Sequence, residues 1–336
     1  MNVDSVTKSS ELGKTPMARV GLAAGSRRYV VFVLVALFFA FAVSWRYNGI
    51  FACPGDGYGS GGYLAYCQAT GYGDYDHGAM WFGLEPETLK RVAKAKVLFL
   101  GSSRLQFALS TAATSEWFAS RTNDYYLLGF SHSENVGFIE PLLKKIEPRA
   151  AVYVLNVDQL FDSRETDPAS VIFRNSDALE RYRTKRRWQP LHRALCGGLP
   201  LLCGHHIAFY RDRDKGFWIW RGAEAEFQPS MVEDAPSEDT SRWSTYVDRA
   251  REFVDRLPVS RSCVVLTLVP THGTRIREAT AIADSLGIKL VSPQVEGLKT
   301  FDGSHLDQRS AELWSSAFLA AGGADIDRCL GDGRGS

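Results

Sequence analysis

The chain has 336 residues, 23% of them charged and 45% hydrophobic, with a formal charge of +1. These are ordinary globular values, and the near-zero charge removes any global electrostatic reason to invoke nucleic acid or a strongly acidic partner. Length alone allows two domains, but the stretch before about residue 95 is too irregular to be one, which leaves a single catalytic-size domain and whatever precedes it.

In chain order, residues 1–28 are polar and without apolar periodicity, and read as a disordered cytoplasmic tail. Tyr29 to Trp45 then run for 17 positions without a charge, roughly 26 Å of helix at the α-helical rise, near the lower limit for a bilayer core. A transmembrane anchor is therefore expected over 29–46. Lys8, Lys14, Arg19, Arg27 and Arg28 precede it and only Arg46 follows closely, so the positive-inside rule places the N-terminus in the cytoplasm and the bulk outside. An uncleaved anchor is favoured over a signal peptide cut after Ala40-Phe41-Ala42, because the preceding segment is long and Trp45 and Tyr47 suit an interfacial belt.

Residues 47–95 carry glycines and tyrosines without a helical or strand period and read as a periplasmic linker; Asp74, Asp76 and His77 there are taken as turn residues rather than metal ligands. All six cysteines follow the apolar segment, and an even count in an oxidising compartment suggests disulfides. Sequence does not choose the pairing. The nearest-neighbour expectation is Cys53 with Cys67, Cys196 with Cys203, and Cys263 with Cys329.

From Pro86 the pattern becomes periodic. ETLKRVAKA, TAATSEWFA and ENVGFIEPLLKKI are helix candidates, and they alternate with the buried-strand runs KVLFLGSS, DYYLLGFSHS and AAVYVLNVD. Between about 163 and 241 the alternation stops and arginine and tryptophan accumulate, which marks an insertion. Trp188, Trp218 and Trp220 could line a groove there or pack inward as a cap. SRWSTYVDRAREFVDRL resumes as a core helix; SCVVLTLVP and IKLVSP supply fourth and fifth strands, with a helix closed by Gly287 between them. A last helix runs towards Ala321, capped by Asp307 or Ser304. Strands alternating with helices predict an α/β fold, a three-layer sandwich around a parallel sheet.

In such sheets ligands bind outside the carboxyl ends of the strands. Those ends carry Ser102-Ser103-Arg104, Gly129 to Ser133, and Asn156 to Asp158, while FDGSHLD places Asp302 three residues before His305 ahead of the last helix. A serine hydroxyl needs a base to remove its proton as it attacks, and a histidine oriented by a carboxylate supplies one. Ser103, His305 and Asp302 are thus candidate catalytic residues. His272, at another strand end, is a candidate substrate contact, and Arg104 either meets substrate or pairs with a local carboxylate.

VLFLGSSR, LLGFSHS, VLNVD and FDGSHL resemble, in order and spacing, the four sequence blocks of the SGNH/GDSL hydrolase superfamily. The single anchor and the GSSR form are more narrowly similar to its membrane-anchored members that O-acetylate bacterial envelope polysaccharides. The likeness covers roughly residues 96–320 apart from the insertion, within an expected domain of 96–330. It implies a flavodoxin-like strand order, Ser103 as nucleophile with Ser102 as second choice, and His305 and Asp302 completing the triad. It further implies an oxyanion hole from Gly129, or else His132, and from Asn156, although Leu155-Asn156-Val157-Asp158 departs from the usual Gly-x-Asn-Asp. The implied activity is a periplasmic O-acyltransferase of the bacterial inner membrane, acting on an exported or envelope polysaccharide with acyl groups delivered by a multipass membrane protein. No metal or soluble cofactor is expected. A carbohydrate esterase of the same fold, or a glycan-binding scaffold without catalysis, are the alternatives.

Overall fold

A computed structural model describes residues 24–222, 229–235 and 240–332. The chain falls into two compact units, Met1–Ser44 and Trp45–Ser336. The described part of the first is helical and belongs to α1 (Ala24–Tyr47), which takes in the apolar run. The described side chains of that unit other than Val33 are exposed, with Tyr29 70%, Phe32 71% and Leu37 62%. Among the described residues no helix is long and apolar enough to cross a membrane. The expected tail as far as residue 23, and the side chains at 38–43 and 45 of the expected span, lie outside the described residues.

The second unit opens with β1 (Tyr63–Cys67), β2 (Gly73–Asp74), α2 (Asp76–Trp81) and α3 (Pro86–Lys94). Residues 47–95 are therefore folded, where a linker was expected. Their tyrosines explain the difference: Tyr58, Tyr63, Tyr72 and Tyr75 are buried, and each hydroxyl finds a partner. Tyr63 donates to Asp76 Oδ1 at 2.6 Å, Tyr75 to Glu85 at 2.9 Å and Tyr72 to the Leu64 carbonyl at 3.0 Å. A satisfied tyrosine is a core residue, but its spacing here gives no apolar period. The glycines serve close packing, since a Cβ on Gly57 would lie 2.0 Å from the Tyr210 ring.

The alternating part follows: β3 (Val97–Ser102), α4 (Ser103–Leu109), α5 (Ala112–Ala119), β4 (Tyr125–Phe130), α6 (Val136–Ile146) and β5 (Val152–Asn156). The insertion supplies α7 (Asp167–Arg174), α8 (Ala178–Gly198), β6 (Ala208–Arg211), β7 (Trp218–Arg221), β8 (Ser230–Met231) and β9 (Glu233–Asp234). The chain closes with α9 (Trp243–Asp255), β10 (Val264–Thr267), β11 (His272–Thr274), α10 (Ile276–Leu286), β12 (Leu290–Val291), β13 (Lys299–Thr300) and α11 (Gln308–Asp332). Asp307 caps α11 by accepting from Ser310 N at 2.7 Å, and the helix extends past Ala321.

Five strands form one parallel sheet in the order β12-β10-β5-β3-β4. Renumbered within the sheet this is 2-1-3-4-5 read from β4, the flavodoxin-like order expected. Every residue of β3, β4, β5 and β10 is buried, as strands covered on both faces must be. Side chains alternate between faces, and the two cores follow that alternation. Leu98, Leu100, Tyr126, Leu128, Tyr153 and Leu155 join one cluster with α6, α9 and α10. Val97, Phe99, Tyr125, Leu127, Val152 and Val154 join the other with α4, α5 and α11. Helices on both faces of one sheet give the three layers.

The insertion is not a loose cap. β6 and β7 pair with β1 and β2 in a four-stranded antiparallel sheet, order β2-β1-β6-β7. Its hairpin also covers the outer edge of β4: Leu127 N–H donates to Lys215 O at 2.9 Å, and the Arg211 guanidinium donates to Leu127 O at 2.7 Å and to Gly129 O. Edge strands need such cover. All three expected disulfides are present, Cys53–Cys67, Cys196–Cys203 and Cys263–Cys329, as suits an exported protein.

Candidate active site

The sheet ends where β3 gives way to α4. Ser102 is the N-cap, its hydroxyl accepting from Arg104 N at 3.3 Å, and it is buried. Ser103 is thereby left at the first helical position, half-buried and open to solvent. Its Oγ lies 2.8 Å from His305 Nε2.

His305 sits in a turn built by Asp302. One carboxylate oxygen, Oδ1, accepts from Ser304 N at 2.9 Å and His305 N at 2.8 Å, and the other, Oδ2, lies 2.7 Å from His305 Nδ1. Gly303 supplies the left-handed residue of that turn, with φ +81°. The Asp-x-x-His spacing therefore folds the carboxylate back onto the ring, fixing the tautomer with Nδ1 protonated and Nε2 facing the serine. Burial pushes the Asp302 carboxyl up, but the imidazole and the two backbone N–H groups outweigh it and hold the carboxyl below its ordinary range. Asp302 stays anionic.

Further bonds fix the turn. Phe301 N donates to His305 O at 2.9 Å and His272 N to Gly303 O at 3.3 Å. Arg104 Nε donates to Ser304 Oγ at 3.0 Å, and its Nη1 pairs with Asp158. Arg104, expected against either substrate or a local carboxylate, thus takes the local pair and ties three strand ends together. His272 has an exposed side chain and holds the turn through its backbone.

Asn156 ends β5 beside Gly101, whose Cβ would come within 3.0 Å of Asn156 Cβ. Its Oδ1 accepts from Val269 N at 2.9 Å, and its buried Nδ2 has no partner among the described residues. Gly129 falls elsewhere than an oxyanion role requires. It pairs with Gly101 inside the ladder, with Phe130 opposite Ser102, so continuing the register sets Ser131, not Gly129, level with Ser103. Its lack of a Cβ serves packing, because one would stand 2.6 Å from Ser102 O. The chain beyond β4 is unusual instead at His132 and Ser133, both non-glycine residues with positive φ, 59° and 53°, a costly conformation that clusters at functional sites.

Two features escaped the sequence reading. Asp76 receives a bidentate ion pair from fully buried Arg211, with distances from 2.7 to 3.0 Å; their separation of 135 residues left no local signal. His77, expected as a turn residue, is completely buried between two carboxylates, 2.8 Å from Asp74 and 2.9 Å from Glu134. Burial opposes its charged form, yet the two acids override it and push the imidazole up to about 10. Glu134 also accepts from Asn135 N at 2.9 Å and Thr166 Oγ1 at 2.6 Å, so this network braces the turn that carries His132.

Aromatic rings surround His305. Phe107, one helical turn after Ser103, lies 4.8 Å from His305 by ring centroids, and Phe301 stacks on it at 5.6 Å and 19°. Trp220 stacks in turn on Phe301 at 5.1 Å and 8°. Of the expected tryptophans, Trp220 reaches the site, Trp218 is buried behind it against Phe209, and Trp188 stands 46% exposed beside Phe51. A hydroxyl in contact with an oriented imidazole, a neighbouring buried amide donor and partial exposure is an arrangement able to carry out acyl transfer. No family model, no curated protein and no solved structure matches the chain.

Proposed function

We propose that the chain is an SGNH-like O-acyltransferase, held in the bacterial inner membrane by one N-terminal span, whose periplasmic domain acetylates an exported or envelope polysaccharide. The observation that carries this reading is the unbroken chain from Ser103 Oγ through His305 to Asp302, with contacts of 2.8 and 2.7 Å, at the carboxyl edge of the parallel sheet. The open apolar side chains of α1, the basic residues before it and the three disulfides support the compartment.

Ser103 Oγ attacks the carbonyl of an acyl donor, delivered by a multipass membrane partner, as its proton passes to His305 Nε2. The donor's leaving atom takes that proton and departs, leaving acyl-Ser103. A sugar hydroxyl next gives its proton to His305 and attacks the ester, and Ser103 recovers the proton as the acylated sugar leaves. Asp302 keeps the imidazole aligned and stabilises its charged form. Asn156 Nδ2 and a backbone N–H from the Ser131–His132 turn are the donors for the oxyanion, Asn156 in the role its block implied and the turn in place of Gly129.

The test uses the full chain in detergent with p-nitrophenyl acetate as donor and a soluble glycan as acceptor. Acetate should appear on the sugar, and Ser103→Ala should lower turnover by roughly 10⁴-fold or more. Acetate released only into solution would replace the transferase with an esterase. Turnover unchanged in the Ser103→Ala chain would move the nucleophile to Ser102, and no turnover above background in the unmutated chain would leave a scaffold.

A further inference from the structure

The Cys196–Cys203 bridge spans a sequence separation of only 7, and the loop it closes holds Leu199, Leu201 and Leu202. These leucines face outward: Leu201 is 87% exposed and Leu199 59%, and Leu202 is exposed as well. Trp188 and Leu191, one helical turn apart on α8, carry the exposed apolar surface back along the helix. Half-buried Leu195 stands between them and the loop, and the spacing 188, 191, 195 keeps all three on one side of α8. Single exposed leucines are ordinary, but a cluster of them on a stretch stiffened by a cystine marks an interaction surface.

Two observations say what the surface meets. The first is its attachment. The Arg46 guanidinium donates to Leu201 O, Gly204 N–H donates to Phe51 O at 2.9 Å and His206 N–H to Ala52 O at 3.1 Å. A Cβ on Gly204 would stand 2.5 Å from Arg46 O, so the stapled loop lies directly on the backbone that follows the apolar run 29–45. Where that run sits in a bilayer, chain continuity keeps Arg46, and the loop bonded to it, at the bilayer surface whatever angle the helix takes. The second is charge. Between Glu180 and Asp212 there is no acidic residue, while α8 carries Arg181, Arg183, Arg186, Arg187 and Arg193. Arg183 and Arg187 share the one carboxylate of Glu180, at 3.9 and 3.0 Å, which leaves a cationic surplus beside the leucines. Apolar side chains next to guanidiniums match an anionic phospholipid surface, whose acyl chains take the first and whose phosphates take the second. We propose that the Leu199–Leu202 loop and the Trp188–Leu191 face of α8 are a second membrane contact, seated in the headgroup layer of the leaflet from which α1 emerges, and that it sets how the periplasmic domain is turned towards the bilayer. The placement rests on reading α1 as a membrane anchor; the affinity of the patch for lipid does not.

Photolabelling from inside the bilayer tests it. The full chain, purified and placed alone in nanodiscs of phosphatidylethanolamine and phosphatidylglycerol with a trace of phospholipid bearing an acyl-chain diazirine, is irradiated, and the adducts are mapped by peptide mass spectrometry. Adducts should fall on the apolar run of α1 and on Leu199–Leu202, and not on Leu313, a leucine 47% exposed on α11. Replacing Leu199, Leu201 and Leu202 together with serine should lower labelling of the unaltered Trp188–Leu191 stretch about fivefold or more, with the thermal melt unchanged. Leu201→Ser alone, at the most exposed of the three, should lower it about twofold and serves where the triple variant melts early. Adducts on α1 with none on the loop would overturn the contact, leave the anchor reading standing and give the patch to a protein partner. Adducts on the loop with none on α1 would keep the contact and remove the anchor, whereas labelling of neither would overturn both. Leu313 labelled as strongly as the loop would also overturn the contact, since adducts would then follow exposure alone.

Discussion

Asn156 has one half of its amide committed and the other idle. Oδ1 is fixed by Val269 N at 2.9 Å, and Nδ2 is buried without a partner among the described residues. A buried idle donor costs about 1–3 kcal/mol, which the proposed mechanism would recover as an oxyanion forms beside Ser103. Asn156→Ala should therefore lower kcat by roughly 10²–10³-fold with little change in KM for p-nitrophenyl acetate; a KM effect with unchanged kcat would assign the amide to substrate binding. His77 gives a second, different residue-level expectation. Its charged form is favoured in the fold, where the ring titrates at about 10 rather than the ordinary 6.5. The stabilisation is complete below pH 6.5 and is lost as pH rises towards 10, because the folded state then binds more protons than the unfolded one. Thermal melts should show stability falling by on the order of a few kcal/mol across that window. Replacing His77 with Gln should flatten the slope, and a slope unchanged by the replacement would locate the titration in another group.

At the level of elements, legibility follows how each segment meets its surroundings. Four of the five strands of the main sheet, β3, β4, β5 and β10, are buried on both faces, so their apolar runs are unbroken and visible. Asp302 and His305 were legible because the turn closes over three residues, entirely within local sequence. The Ser103 partnership crosses 202 residues, and only the resemblance to known blocks joined it to that turn. The small antiparallel sheet had neither aid, since its core is tyrosine and its strand partners β1 and β6 lie far apart in sequence. His132 stayed in second place behind Gly129 because a positive φ at a non-glycine position has no signature in sequence. The disulfide expectation rested on proximity along the chain, yet Cys263–Cys329 closes 66 residues and ties the entry to β10 onto α11. Closing a loop of that size stabilises by about 4 kcal/mol in the chain-entropy model. Cys263→Ala with Cys329→Ala should lower the melting temperature by several degrees, about as much as reductant lowers it through this bridge. Equal melting temperatures for the paired variant and the unmutated chain would refute that contribution.

Across the whole molecule, the segment before the alternating strands and the insertion after them form one body with the sheet. β1 belongs to the first and β6 to the second, and they pair from Tyr63↔Arg211 to Cys67↔Ala208. Arg211 makes the union electrostatic as well: it is fully buried, its counter-charge Asp76 comes from the N-terminal segment, and its remaining donors hold the carbonyls of Leu127 and Gly129 on β4. Cutting the chain at residue 96, where the expected catalytic domain begins, would leave that guanidinium buried without its carboxylate. Such a loss costs about 3–5 kcal/mol, against a total stability of about 5–15 kcal/mol, and Tyr63 and Tyr75 would leave the core with it. A chain of residues 45–336 should therefore melt cooperatively by circular dichroism, while one of residues 96–336 should show no cooperative transition. Asp76→Asn, which removes the charge and keeps the side-chain shape, should fall between them. A 96–336 chain that melts as the longer one does would mean that the small sheet is an accessory, and the edge of β4 beside the candidate site would then need another source of support.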